Sequence, residues 1–155
     1  MLKTNVMRLL DAKKISYNAF EYSPEITEGI RIAEILAEDP DRVFKTLVTQ
    51  AASGNYYVFV IPVAETLDLK AAAKSVNEKS VAMIKQKELL PLTGYIHGGC
   101  SPIGMKKPFD TVIDETATLY NTIYVSAGKV GYQIEINPHI LCDYVDAKFE
   151  NITVI

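Results

Sequence analysis

The stretch that most restricts how this chain can fold is VFKTLVTQAASGNYYVFVIPV, residues 43–63. Two runs rich in β-branched and aromatic residues, 43–52 and 56–63, flank Ser53-Gly54-Asn55. Such side chains favour extended backbone, and a short connection carrying glycine supplies the positive φ that a tight reversal needs. The spacing predicts an antiparallel hairpin near the middle of the chain. Lys45 stands inside its first strand, between Phe44 and Thr46. Side chains alternate along a strand, so Phe44, Thr46 and Val48 share one face while Lys45 and Leu47 share the other.

Helical and extended patterns alternate on both sides of this hairpin. Residues 4–13 place Val6, Leu9, Leu10 and Lys13 at helical spacing, with Thr4 or Asn5 as N-cap. The run 15–22 reads as a strand, and 26–39 contains a helix with Ile32, Ile35 and Leu36 on one face. Asp39-Pro40 follows as a cap with proline at the first helical position. Further on, 68–76 is a short helix capped by Asp68, 80–84 a strand, and KQKELLPL a helix stopped by Pro91. Segments 110–114 and 121–128 are strands, and 131–137 pairs back across the Lys129-Val130 turn. A short helix at 138–145 and a strand near 149–155 complete the reading. There is no repeat, low-complexity segment or linker. The expectation is an α+β fold: one domain over residues 1–155, built on a curved, mixed, barrel-like β-sheet surrounded by helices.

Composition excludes several function classes. At 155 residues, 48% apolar and 23% charged, the chain can bury one real core. No run approaches a membrane span, and the N-terminal MLKTNVMRLLDAKK lacks the apolar centre of a signal peptide. No membrane association and a cytoplasmic location are therefore expected. The net charge of −3 argues against broad nucleic-acid binding by charge alone, although it leaves room for a local basic face. Cys100 and Cys142 belong to no Cys-x-x-Cys pair, and His97 and His139 are isolated. No metal and no cofactor are expected.

GGCSPIGMKK, residues 98–107, is the barest backbone in the chain. Gly99 and Gly104 match the glycine spacing of a nucleotide-triphosphate loop, but Met105 stands where that loop needs lysine. Glycines also let backbone amides approach an oxyanion or a carbonyl, and spacing alone favours a plain surface turn. Cys100 lies near His97 and Asp110, the residue types of a thiol hydrolase. Nearness in sequence does not assemble a triad, and a small filler residue is the simpler reading. Lys45 either faces water or occupies a cleft, where it would suit an anion or a polar substrate. Ser126 precedes Ala-Gly without the surroundings of a nucleophile elbow.

Taken in order, these segments resemble the YbaK/EbsC family of aminoacyl-tRNA deacylases, relatives of the editing insertion domain of bacterial prolyl-tRNA synthetases. The resemblance rests on KKISY with Tyr22 close behind, DPDRVFKTLV, LDLKAAAK, GYIHGGCSPIGMKK and TIYVSAGKVGYQIEI, with DAKFENI near the C-terminus. The glycine-loop form is most similar to the branch that hydrolyses Cys-tRNA(Pro). The resemblance implies hydrolysis of the ester joining a wrongly attached amino acid to the terminal ribose of tRNA. Lys45 would act at the terminal adenosine or the aminoacyl ester, with Thr46 bordering it. Tyr22 would form a wall or donate a hydrogen bond. Gly98 and Gly99 would present backbone groups to the aminoacyl carbonyl, and Ser126 would approach the amino or ribose end. No protein nucleophile is implied, because the cysteinyl thiol of the substrate attacks its own ester. The implied partners are mischarged tRNA(Pro) and prolyl-tRNA synthetase.

Alternative readings stay open at this point. They are a deacylase preferring Ala-tRNA(Pro), a non-catalytic module that binds the aminoacylated tRNA 3′ end, and a thiol hydrolase using Cys100. Lys70, Lys74, Lys79, Lys85, Lys87, Lys106 and Lys107 form a basic middle section that would suit an RNA end if several share one face.

Overall fold

A computed structural model describes residues 1–154. The predicted hairpin is present: β2 (Phe44–Ala51) pairs antiparallel with β3 (Tyr56–Pro62), Lys45 opposite Ile61 and Thr46 opposite Val60. Its turn closes through Gly54 N–H to the Ala51 carbonyl at 2.9 Å, and Gly54 takes φ +96°. A branched side chain would be strained there, so glycine sets the reversal.

Two sheets result. The larger has the order β4-β2-β3-β5-β8, with β4 at Val81–Met83, β5 at Asp110–Asp114 and β8 at Lys148–Glu150. It is mixed, because β3–β5 and β5–β8 run parallel. The smaller has the order β1-β7-β6, from Asn18–Glu21, Tyr132–Ile136 and Ile123–Ser126, all antiparallel. The sheet does not close into a barrel. Its halves meet at one parallel bridge, Val43 to Tyr124, and β4 begins to pair with β2 only at Thr49. Between these points, among the described residues, no ladder is paired to that edge of β2.

The main core lies between the sheets. Phe44 and Val48 of β2, Val58 and Val60 of β3, and Val125 and Ile134 of the small sheet meet Val6, Met7 and Leu10 of α1 (Asn5–Ala12). Burying each such side chain contributes about 1.5–3 kcal/mol. Thr4 caps α1, its hydroxyl accepting from Met7 N–H at 3.3 Å. On the other face of the large sheet, Phe59 and Ile61 pack with Ala72 and Ala73 of α3 (Leu69–Ser75). Asp68 caps α3 through the N–H groups of Lys70 and Ala71, both at 3.1 Å.

A third cluster covers the junction of the sheets. Ile32 and Ala33 of α2 (Gly29–Ile35) pack with Val43, Val63, Tyr22 and Tyr124. Behind it Arg42 ties the sheets together. Its guanidinium reaches Glu38 at 3.0 Å, the Thr122 hydroxyl at 2.8 Å and Glu135 at 3.5 Å, and lies 5.3 Å from the Tyr124 ring.

Several element bounds differ from the sequence reading. The predicted helix in 26–39 is confined to Gly29–Ile35, and the first strand to Asn18–Glu21. Pro91 does not stop a helix but sits within α4 (Leu89–Thr93), which ends at Gly94 in the left-handed region. A proline in a first turn gives up an N–H that would have had no intrahelical partner. Residues 138–144 form α5, as the spacing predicts. The expected strand near 149–155 is β8 plus a bridge from Thr153 to Leu67; its last residue lies outside the described residues.

Candidate active site at the seam of the two sheets

A pocket of about 440 Å³ opens along the unpaired edge of β2. Phe44–Leu47 form one wall and Ser126 and Gln133 of the small sheet another. The segment Thr27–Ile30 with Ile32 closes one side, and His97, Gly98 and Cys100 of the glycine loop close the other.

Lys45 enters because strand alternation turns Phe44 and Val48 into the core and leaves position 45 on the opposite face. That face is not freely solvated. Lys45 is half-buried, and its ammonium donates to the Val63 carbonyl at 3.3 Å. Burial pulls its pKa below the ordinary lysine value, with Glu65 partly opposing the shift. An ammonium has three donors, so a partly desolvated one with a single carbonyl partner favours an anionic or strongly polar ligand.

Two polar atoms at the pocket are buried without partners, Thr46 Oγ1 and Gln133 Oε1. Buried polar groups are nearly always satisfied, so two orphans on residues that line one cavity call for a partner there, a bound group or ordered water. Gln133 is 3% exposed, and its Nε2 donates to the Tyr22 hydroxyl at 3.4 Å, which leaves Oε1 as the free acceptor. Ser126 is directly opposite Gln133 in the β6–β7 register. The Ser126 hydroxyl accepts from Gly128 N–H at 3.2 Å.

The glycine loop contributes unequally. Gly98 lines the pocket at φ +86°, and a Cβ there would stand 2.9 Å from Thr27 Cγ2. Gly99 is turned away. Its N–H donates to the Ile96 carbonyl at 3.0 Å, and a Cβ would stand 2.9 Å from the Val130 backbone nitrogen. Lys45, Thr46, Gly98 and Ser126 therefore meet at one pocket. Tyr22 is buried one side chain behind it, held through Gln133, while Gly99 packs beneath the loop.

Cys100 and His97 both reach this pocket, but Asp110 lines a separate cavity with Lys107 and Tyr144. Burial pushes the Cys100 thiol up to about 12, which disfavours the thiolate that a thiol hydrolase requires. Among the described residues no cluster of three His, Cys, Asp or Glu side chains suited to a metal ion occurs. No helix there is long and apolar enough to cross a membrane. The middle-section lysines are exposed and none lines the pocket.

Sequence reasoning missed Gln133 and the Thr27–Ile32 wall. The signal for Gln133 was present in GYQIEI, where Tyr132, Ile134 and Ile136 point into the core and Gln133 points the other way. Alternation cannot tell a solvated face from one covered by α2.

Comparison with known proteins adds a family. The model for the aminoacyl-tRNA editing domain matches residues 24–143. A protein of Enterococcus faecalis, named as a candidate Cys-tRNA(Pro)/Cys-tRNA(Cys) deacylase, EbsC, is 44% identical over 153 residues, covering 97% of this chain and 93% of its own. Among solved structures, the hypothetical protein APE2540 superimposes with a TM-score of 0.90 at 20% identity, covering 97% of this chain and all of its own. A candidate trans-editing enzyme for prolyl tRNA synthetase does so with a TM-score of 0.85 at 20% identity, both chains fully covered.

Proposed function

Since the chain belongs to the aminoacyl-tRNA editing domain family, we propose that it is a trans-editing deacylase that hydrolyses mischarged Cys-tRNA(Pro), with residues 1–155 as one editing domain. The observation that carries this reading is the composition of the pocket. It offers a desolvated cation and two unpartnered buried polar atoms beside a thiol held in its neutral form. Such a site suits positioning a substrate that brings its own nucleophile. The name of the 44% identical relative supports the choice of cysteine as the amino acid.

In the chemistry that family resemblance implies, the cysteinyl sulfur attacks its own ester carbonyl. A carbon–sulfur bond forms, the bond to the ribose oxygen breaks, and the thiol proton ends on the released ribose hydroxyl. Water then opens the cyclic thioester. Orientation of reacting atoms can supply up to about 7–11 kcal/mol, and each preorganised oxyanion donor about 3–4 kcal/mol. Lys45 holds the terminal adenosine or ester end, and Thr46 borders it. Gly98 presents backbone to the aminoacyl group, with Gly99 supporting that loop. Ser126 meets the amino or ribose end, and Tyr22 orients Gln133.

The exposed lysines of the middle section do not line the pocket, which implies weak free-standing affinity for tRNA. Discrimination in favour of tRNA(Pro) then comes from prolyl-tRNA synthetase, which hands over the mischarged product in the cytoplasm. The test is release of amino acid from Cys-tRNA(Pro), Ala-tRNA(Pro) and Cys-tRNA(Cys), with and without synthetase. Hydrolysis of Cys-tRNA(Pro) with the tRNA(Pro) preference strengthened by synthetase is expected. No hydrolysis of any of the three overturns the reading, and preference for Ala-tRNA(Pro) replaces its substrate.

A further inference from the structure

Backbone direction along β2 can be followed from its two ends. Val43 accepts from Val63 N–H at 2.8 Å, and Ala51 donates to the Asn55 carbonyl at 2.8 Å. In an antiparallel pair, alternate residues exchange both bonds with the partner strand. Lys45, Leu47 and Thr49 therefore turn their N–H and C=O toward β3, while Phe44, Thr46 and Val48 turn theirs to the opposite edge. At Val48 that edge is used, because its carbonyl accepts from Ile84 N–H at 3.2 Å. At Val43 it meets Tyr124. Thr46 lies between, where neither β4 nor β6 forms a ladder, and it lines the pocket with its Oγ1 unpartnered.

An extended residue shows its own N–H and C=O on one side. An aminoacyl ester carries the same pair on a single carbon, an α-ammonium and an ester carbonyl. We propose that the aminoacyl group docks on this edge as a one-residue strand, its carbonyl accepting from the Thr46 backbone N–H and its α-ammonium donating to the Thr46 carbonyl. The inference takes its ligand class from the deacylase reading and adds the element that grips it. Docking of this kind is blind to the amino-acid side chain, which leaves selection to the walls opposite, Cys100 and Ile32 among them. It also aims a fixed N–H at the oxygen where negative charge develops.

The test replaces Thr46 by its α-hydroxy acid, which exchanges the backbone N–H for oxygen and keeps the side chain. The expected result is a fall in kcat/KM on Cys-tRNA(Pro) of roughly 10²-fold, the range for one oxyanion donor. The same exchange at Val112, a buried position of β5 that does not line the pocket, should lower Tm and leave kcat/KM unchanged. A Thr46 variant that folds and works at the parent rate overturns the inference. If the variant does not fold, the unmodified protein decides. Titration with 3′-cysteinylamido-3′-deoxyadenosine should move the Thr46 amide resonance downfield and protect it from exchange, leaving Leu47 little changed. The alanyl and prolyl analogues serve as further probes, and no Thr46 response to any of the three overturns edge docking. Absence of Cys-tRNA(Pro) hydrolysis by the parent, with the Thr46 response intact, removes the deacylase reading alone.

Discussion

Ser126 and Gln133 face each other across the β6–β7 ladder, and both line the pocket entered by Lys45 from the other sheet. The Gln133 carbonyl oxygen is buried there without a partner. An unsatisfied buried acceptor costs about 1–3 kcal/mol, so it weakens the free protein. Gln133→Leu should therefore hold or raise Tm while lowering deacylation. Thermal melts and kcat/KM on Cys-tRNA(Pro) check this, and a variant with lower Tm and unchanged activity would assign Gln133 to structure alone.

Lys45 gives the opposite pairing of site and stability. Lys45→Met keeps the stem and removes the charge, and activity should fall roughly 10²-fold or more, as for loss of one group that stabilises developing charge. Stability should not fall. The folded pKa is depressed by burial below the ordinary 10.5. At pH values below the folded pKa the ammonium is charged in both states, and only the folded state bears the desolvation penalty. That penalty fades as pH rises from the folded pKa toward 10.5, where the unfolded chain binds more protons than the folded one. The stability advantage of the Met variant should thus be fullest near neutrality and shrink in alkaline solution. Chemical denaturation of both proteins across that range measures it, and an advantage that grows with pH contradicts the assignment.

The two loop glycines should respond differently to alanine. Gly98→Ala meets a left-handed φ, about 1–2 kcal/mol, and the movable Thr27 side chain. Gly99→Ala drives Cβ into the Val130 backbone. The Tm of Gly99→Ala should be the lower of the two. A Gly99→Ala protein melting with the parent would mean that the Lys129–Val130 turn yields freely.

Cys100 should be chemically quiet. Burial holds its pKa up at about 12, so little of the thiol is ionised near neutrality. Iodoacetamide should label Cys100 far more slowly than a free thiol, and Cys100→Ala should retain most of the parent rate. Complete loss of deacylation at an unchanged Tm would restore the thiol-hydrolase reading.

The hairpin was legible because its evidence is local: branched residues on both sides of a glycine-bearing turn. The break between the sheets was not, since it depends on where Tyr124 meets Val43, residues far apart in sequence. Pro91 was misread as a stop because a proline in a first turn and one after a last turn look alike without the helix origin. Lys45 lay open between a solvated face and a cleft on spacing alone. Its cleft became visible only when α2 and the glycine loop were placed over that edge. Gln133 escaped notice for the same reason.

With one strand bridge between the sheets among the described residues, the pocket is a joint between two parts that share a core. One part holds the lysine and a bare stretch of main chain, chemistry that serves any aminoacyl ester. The other holds Ser126 and Gln133, on strands outside the hairpin that anchors Lys45. The walls that select, Cys100 and Ile32 among them, stand on the glycine loop and α2, so reagent and selector reside on different supports. A scaffold divided in this way can change which amino acid it rejects and keep the means of removing it.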